Sequence, residues 1–294
     1  MKRLTLVALI GLASGACDGR LPIDSDETDT DTDTDSDTDT DTDTDTDSDT
    51  DTDTDTDTDP MSCSDGPPST GPWAVDGSAP AHPISAAGAV ASATAYTNDA
   101  GVGALRTATT GSTDAVVSLA ISGAIVTAVD YVPAPPNDGT ATFWFADSGG
   151  AMQAFRLNLG GVEPSTLKPG DAVSFTATLV TDYFNTLEVK EATGFTIDSS
   201  GNGVYVIDGM ASALSPSTQL MQNVEVYGEL TDDPTECGTG KDCFTLAYGF
   251  NTTVFRTGAG FQQKGDCIHW IGPLGEFSSA PQLNAGNFDW YRWY

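Results

Sequence analysis

The sequence predicts an all-β protein that consists of two tandem five-stranded barrels preceded by a disordered acidic tether. Three observations predict it. Residues 28–59 contain only aspartate, threonine and serine. From Val116 onward, short runs rich in Val, Ile, Thr and Phe alternate with turn-forming clusters such as "PAPPNDG" and "DSGG". An order of elements then recurs after 95 residues. No window of 11 or more residues in this part shows a convincing helical period.

The chain opens with the pattern of a secretory signal. Lys2 and Arg3 precede an apolar run at 4–13, and small residues at 14–16 precede Cys17. The run is too short for a retained membrane helix. The segment resembles a bacterial lipoprotein signal, although Ser14 stands where that family usually has leucine. The resemblance implies a signal peptide at 1–16, a lipidated Cys17, and an anchor in the bacterial envelope, at the outer membrane or cell surface. The alternative is ordinary secretion with a free Cys17.

The acidic repeat is predicted to be a tether within residues 17–60. Both residues of its alternation are polar, so no face can be buried, and a charge at every second position makes the segment repel itself. Its 36 residues at 24–59 could reach at most about 120 Å. The run lacks the glycine turn and the closing glutamate of a calcium loop. We therefore expect only weak, diffuse binding of divalent cations here.

The charge of the chain limits the classes of partner that the sequence predicts. The chain has a formal net charge of −32, and residues 61–294 hold 23 acidic and 8 basic residues, a net charge of −15. This part contains no basic cluster, so the composition predicts that nucleic acid is not a partner.

Five cysteines are present, and lipidation of Cys17 leaves four for pairing in an exported protein. Cys237 and Cys243 flank "GTGKD", whose glycines allow a tight turn, and are predicted to pair. Cys267 is out of phase with the apolar Ile268 and Trp270 and should point away from the barrel interior. It is predicted to pair with Cys63, just beyond the tether.

The internal repeat predicts how each barrel is built. "KPGDAVSF" at 168 and "QKGDCIHW" at 263 both follow a strand with a mid-strand glycine and an aromatic-arginine pair. A glycine inside a strand marks a bend or bulge, and five strands with a bent first strand fit an OB-fold barrel. Residues 100–230 resemble the OB-like modules of secreted bacterial proteins. We expect an irregular connector at 61–110 and barrels at 111–208 and 209–294. Two immunoglobulin-like sandwiches are the alternative.

The sequence offers little support for catalysis. His82 and His269 are the only histidines, and neither has metal-ligand spacing or a nucleophile partner. His269 is expected to face outward, alone. We therefore expect no enzyme activity, no cofactor and no metal site.

Binding is the favoured class of function. OB barrels bind on the outer face of strands 2 and 3 and through two loops. Trp144 is a candidate for that face, and Tyr131, Tyr183 and Phe184 are candidates in the loops. The alternative for Trp144 is packing against the connector or the second barrel. The sequence thus predicts a lipid-anchored, non-catalytic surface module for a glycan or protein partner. The other hypotheses are a divalent-cation-responsive adhesion protein and, less favoured, an enzyme or nuclease accessory.

Overall fold

A computed structural model describes residue 63 and residues 90–92, 101–130, 139–258, 260–286 and 290–293. The predictions for the signal, Cys17, the tether, Tyr131 and His82 lie outside these residues. The described part is mostly β-structure, as predicted. It contains a 3-10 turn at Pro164–Thr166. Its helices and strands are α1 Val102–Thr109 and α2 Pro216–Gln219, with β1 Val90–Ser92, β2 Ala115–Asp130, β3 Thr140–Asp147, β4 Gly150–Asn158, β5 Ala172–Tyr183, β6 Thr186–Ser199, β7 Val204–Asp208, β8 Asn223–Leu230, β9 Thr235–Glu236, β10 Asp242–Tyr248, β11 Asn251–Thr257, β12 Cys267–Pro273, β13 Gly275–Phe277, β14 Ala280–Ala285 and β15 Tyr291–Trp293.

The first half forms the closed barrel that the sequence predicts. Its strand order is β2-β3-β4-β6-β5, which returns to β2. β4 and β6 pair in parallel, and the other neighbours are antiparallel. This is the OB-fold order, with β2 as the long first strand. Gly123, with φ +64°, lies where β2 shifts register against β5. The mid-strand glycine therefore provides the bulge that lets β2 pair with both β3 and β5.

The second half repeats the strand order as a half-barrel. β8 pairs with β10 and β12 as β2 pairs with β3 and β5. The place of the fifth strand is divided: β14 pairs in parallel with β11, and β15 pairs antiparallel with β12. Here the mid-strand glycine has a steric role. A Cβ at Gly228 would lie 2.2 Å from the carbonyl oxygen of Ala247 on the neighbouring β10. A side chain at position 228 would push the two strands apart.

The Gly-Asp repeat forms the same turn in both halves. Gly170 donates its N–H to Val126 at 2.9 Å, and Gly265 donates to Leu230 at 2.8 Å. Asp171 accepts the N–H of Lys168 at 2.9 Å through Oδ2. Asp266 accepts the N–H of Gln263 in the same way at 3.0 Å. Each aspartate side chain therefore closes its own turn, and each glycine N–H joins that turn to the first strand of its own half.

Asp171→Ala and Asp266→Ala should each lower the free energy of unfolding by about 1–3 kcal/mol, because each leaves a turn N–H without its carboxylate acceptor. Asp171 is the more buried, so its replacement should cost more. Denaturant unfolding measures both, with the exposed Asp233→Ala as a control that stays within about 0.5 kcal/mol. No loss in either variant would show that the repeated aspartates do not stabilise these turns.

Two predicted boundaries are wrong. The connector at 61–110 was expected to be irregular, yet it contains α1, whose Val102 and Leu105 are fully buried in the first barrel's core. At eight residues the helix is too short to give a periodic signal. The range 111–208 was assigned to the first barrel, but β7 lies beside β8 in the second sheet. The first barrel closes without β7, so this strand adds to the neighbouring sheet.

Both predicted disulfides are confirmed. Cys63 is bonded to Cys267, with Cα atoms 5.3 Å apart across 204 residues of sequence. Cys237 is bonded to Cys243, with Cα atoms 5.8 Å apart. The first bond joins the segment beyond the tether to the start of β12. In the described part of the chain, no helix has the length and hydrophobicity that a membrane span requires.

Candidate functional site

A row of residues crosses the outer face of the first barrel. Ala128, Trp144, Gln153 and Glu188 are partners in register on β2, β3, β4 and β6. Their neighbours Met152, Ala154 and Val189 point into the barrel core. The row therefore lies on the face that binds ligands in OB folds.

The second half covers much of this face. Trp144 is only 8% exposed and belongs to the same apolar cluster as Leu220, Met221 and Trp290. Its ring meets that of Trp290 edge to face at a centroid distance of 5.0 Å. Of the two placements that the sequence left open for Trp144, packing on the second barrel is the one observed, and the ring is not an open aromatic platform. The physical reason is the large apolar area of an indole, which a neighbouring hydrophobic surface covers.

A cavity of about 200 Å³ remains at this junction, and we call it the tryptophan cavity. Gln153 is 8% exposed, and its side chain makes no hydrogen bond within the described part of the chain. Its amide group can therefore bind water or a polar ligand that enters the cavity. The lining combines two indole rings with amide, hydroxyl and carboxyl groups: Asp130, Trp144, Gln153, Thr186, Met221, Pro273, Leu274, Gly275, Asn284, Gly286 and Trp290.

Glu188 lies beside Gln153 and is 7% exposed. Burial raises the pKa of its carboxyl above the ordinary value, and the charge of Lys190 opposes this only in part. The charged form of Glu188 is therefore disfavoured in the folded protein.

Glu188→Gln should make the protein more stable at neutral pH. Because the folded-state pKa is raised, the native wild-type protein binds the proton more tightly than the unfolded chain, and its stability falls as pH rises through the folded-state pKa. The variant lacks this loss, so its Tm should exceed that of wild type at pH 7. The two should converge below about pH 4. Glu191→Gln, exposed on the same strand, is the control. An equal gain at every pH would contradict this account.

A second cavity, of about 340 Å³, opens on the other side of a thin wall. The wall is formed by three pairs of consecutive residues that line the two cavities from opposite sides. It is fastened by a hydrogen bond of 2.9 Å from Asn185 Nδ2 to Glu276 Oε1. The paired residues are Asn185 and Thr186, Leu220 and Met221, and Glu276 and Gly275.

The turn between β5 and β6 presents two exposed aromatic rings next to the second cavity. Tyr183 is 60% exposed and Phe184 is 83% exposed, so these two predicted residues are available at the surface. Phe184 and Asn185 have φ of +50° and +67°. A bulky side chain rarely adopts such a backbone conformation. The turn is held by Asp182, which accepts the N–H groups of Gly111 and Asn185.

A third cavity, of about 250 Å³, lies on the outer face of the second half. It is lined by the Cys237–Cys243 disulfide with Val254, Arg256, Phe277 and Gln282. This is the second half's counterpart of the OB binding face, and it is a second location where a ligand could bind.

His269 does not stand alone, as the sequence suggested. It is buried, its Nε2 lies 3.0 Å from Glu225 Oε1, and its ring stacks on that of Tyr227. The reason is the register of β12 against β8, which pairs His269 with Tyr227. The described residues contain no group of three His, Cys, Asp or Glu side chains that could hold a metal ion.

Sequence reasoning missed Gln153, Glu188 and Trp290. The first two were detectable only as polar residues at outward positions of apolar strands. Trp290 belongs to the closing "FDWYRWY", which the repeat assigns to the second barrel without indicating that it reaches the first.

No protein-family model matches the chain, and no curated protein matches it significantly. Several solved structures match the chain at low TM-scores and low sequence identity. The tetrameric p202 HIN2 structure matches with a TM-score of 0.32 and 8% identity over 62% of this chain and 95% of its own. A murine DNA-binding protein bound to double-stranded DNA matches with a TM-score of 0.34 and 11% identity over 60% of this chain and 94% of its own. The complex of p202 HIN1 with a 12-mer of double-stranded DNA matches with a TM-score of 0.31 and 10% identity over 63% of this chain and 96% of its own.

One inference from composition is corrected here. The acidic balance predicted that nucleic acid is not a partner, and this is contradicted by the matches, two of which hold double-stranded DNA. The physical reason is that net charge describes a whole chain, whereas contacts with nucleic acid depend on the local arrangement of groups.

Proposed function

We propose that this protein is a non-catalytic glycan-binding lipoprotein, with its sugar site in the tryptophan cavity and its body held away from the membrane by the acidic tether. The closed five-stranded barrel supports the general class, because OB-type barrels bind ligands on their outer face. The glycan, the lipid anchor and the location at the outer membrane or cell surface are the finer parts of the proposal.

The observation that carries the proposal is the side chain of Gln153, which lines the tryptophan cavity together with two indole rings and makes no hydrogen bond within the described part of the chain. Sugars present hydroxyl groups on their edges and C–H groups on their faces. An amide that donates and accepts can bind the hydroxyls, while tryptophan rings cover the apolar face. The volume of about 200 Å³ lies below the ~300–1,000 Å³ of sites for drug-sized ligands. It therefore suits a single sugar ring, with the remaining units outside.

A glycan array on the full mature chain, made soluble by Cys17→Ser, identifies the sugar, and calorimetry then measures its affinity. Gln153→Leu keeps the volume of the side chain but removes the amide that would hydrogen-bond to the sugar. It should therefore weaken binding at least tenfold. Gln282→Leu makes the same change in the third cavity and should leave affinity unaltered. If only Gln282→Leu weakens binding, the sugar site is on the second half and the proposal is wrong.

A protein partner is the second candidate, and the exposed pair Tyr183 and Phe184 favours it. Exposed aromatic side chains on a fixed turn are typical of contact surfaces between proteins. Tyr183→Ser combined with Phe184→Ser would remove such a contact while sparing the sugar affinity.

The cation-responsive alternative is tested by calcium titration: a rise in Tm at millimolar calcium would favour it.

The lipid anchor gives a separate prediction. Cys17→Ser should move the protein from the detergent phase to the aqueous phase in phase separation of whole cells, because the anchoring thiol is gone. Ser14→Leu restores the usual residue of lipoprotein signals and should keep the protein in the detergent phase. Persistence of the Cys17→Ser variant with the detergent would show that another feature holds the protein to the membrane.

A further inference from the structure

We infer that the third cavity, on the outer face of the second half, binds a small carboxylate that has an apolar body, such as an aromatic acid. This site is separate from the tryptophan cavity, and the inference does not depend on the proposed function. Its basis is a guanidinium, an amide and an exposed phenyl ring that line one cavity of about 250 Å³.

Strand register brings the polar groups of the third cavity to one side of the sheet. Cys243 on β10 is in register with Arg256 on β11, and Val254 on β11 is in register with Gln282 on β14. Alternate residues of a strand share a face, so Val254 and Arg256 lie on the side opposite to the core residue Phe255. The guanidinium and the amide therefore belong to the same outward face.

The disulfide loop supports the guanidinium. The loop is closed by the Cys237–Cys243 bond and by a hydrogen bond of 3.0 Å from the N–H of Cys237 to the carbonyl oxygen of Lys241. A Cβ at Gly238 would lie 3.0 Å from Nη2 of Arg256, so the guanidinium rests directly against this loop. The disulfide therefore limits the movement of the surface on which Arg256 lies.

The charge at the cavity favours an anion. Among the described residues that line it, Arg256 is the one charged residue, and none is aspartate or glutamate. A guanidinium binds a carboxylate through two parallel, charge-assisted hydrogen bonds, a geometry that a lysine ammonium does not offer. The cavity therefore favours a ligand with a carboxylate over a neutral or cationic one.

Three acidic residues of the surrounding strands and loops face away from the cavity or bind elsewhere. Asp242 alternates to the other side of β10 from Cys243. Glu276 accepts its hydrogen bond at the wall of the second cavity. Asp232 uses both carboxylate oxygens on Thr245, accepting its N–H at 2.6 Å and its hydroxyl at 2.7 Å. These carboxylates are therefore not directed at the guanidinium of the third cavity.

Apolar groups complete the cavity and indicate the body of the ligand. Phe277 is in register with Ala280, two positions before Gln282, so its ring lies on the same side, and it is 69% exposed. A ligand ring that packs on this phenyl group and on Val254 removes apolar surface from water. The volume of about 250 Å³ is below the ~300–1,000 Å³ of sites for drug-sized ligands, so it suits a single ring with a short acidic side chain.

The amide of Gln282 gives the site a second polar group. Its side chain makes no hydrogen bond within the described part of the chain, and it lines the cavity. An amide can donate to one oxygen of a carboxylate while the guanidinium donates to the other. The cavity thus combines a positive charge, one further hydrogen-bond donor and an apolar wall.

Phenylacetate is the probe for this inference, and phenylacetamide has the same shape without the charge. Ligand-observed NMR titration of the full mature chain, made soluble by Cys17→Ser, should show phenylacetate binding at least about tenfold more tightly than phenylacetamide. Acetate carries the charge without the ring and should also bind at least about tenfold more weakly than phenylacetate. These comparisons use one protein, so they do not depend on how any cavity variant folds.

Variants of Arg256 locate the site. Arg256→Gln removes the charge and should weaken phenylacetate binding at least about tenfold, whereas Arg256→Lys keeps the charge without the planar fork and should give an intermediate affinity. Arg156→Gln is the matched control, because Arg156 holds the equivalent place in the first half's aromatic-arginine pair and does not line the cavity. It should leave the affinity for phenylacetate unchanged.

Equal affinity for phenylacetate and phenylacetamide, or no binding of either, would overturn the inference. Unchanged affinity in Arg256→Gln, or an equal loss in Arg156→Gln, would also overturn it, because the carboxylate would then bind elsewhere. None of these results bears on the sugar site, which is judged by Gln153→Leu.

Discussion

Replacing Cys63 and Cys267 by serine should lower the free energy of unfolding by up to about 5 kcal/mol, the chain-entropy figure for a loop of this length. The bond closes 204 residues, which include the first barrel and much of the second half. Without it, the unfolded chain gains the freedom of nearly the whole body. Strain in the native bond and residual structure in the unfolded state would make the loss smaller.

The second disulfide is the matched control for that experiment. Cys237 and Cys243 are six positions apart, for which the same reasoning gives only about 2 kcal/mol. Urea unfolding of both double-serine variants, each compared with wild type, therefore measures the two losses of stability and the difference between them. If removing the short-loop bond costs as much as removing the long one, loop closure does not explain how these bonds stabilise the protein.

Trp144→Ala should cost about 3–5 kcal/mol, the usual range for a buried tryptophan. The loss arises at the junction, where Trp144 contributes to the apolar cluster that joins the outer face of the first barrel to the second half. Thermal unfolding should also become less cooperative, because the two halves would share less buried surface.

Phe184→Ala is the control for that variant, since Phe184 is also a large aromatic residue but is exposed on its turn. Its replacement should change stability by less than about 0.5 kcal/mol. A loss of under 1 kcal/mol in Trp144→Ala would show that the two halves associate by other contacts and that Trp144 is not central to the junction.

These expectations show what a single sequence can predict for this chain. The repeated Gly-Asp turn and the mid-strand glycines predict two barrels with the same strand order, because a turn and a bend are local features. The cysteine pairing was also accessible, since it follows from strand phase and loop composition. Phe184 and Tyr183 were placed correctly at a turn for the same reason.

Features that depend on how the halves meet were not accessible. Whether Trp144 faces solvent is decided by Met221 and Trp290, which are 77 and 146 positions away in the sequence. The buried state of Glu188 and Gln153 follows from that same packing, so their outward positions on the strands suggested exposure. The division of the fifth strand between β14 and β15 likewise depends on tertiary pairing and leaves no local pattern.

The central claim is that the tryptophan cavity binds a sugar, and a crystal structure of the mature chain with the tightest-binding oligosaccharide tests it most directly. The account predicts a sugar ring in the tryptophan cavity, with a hydroxyl group within hydrogen-bond distance of the Gln153 amide. A sugar seated instead beside Cys237 and Cys243, or bound on the Tyr183–Phe184 turn with the tryptophan cavity filled only by water, would contradict it.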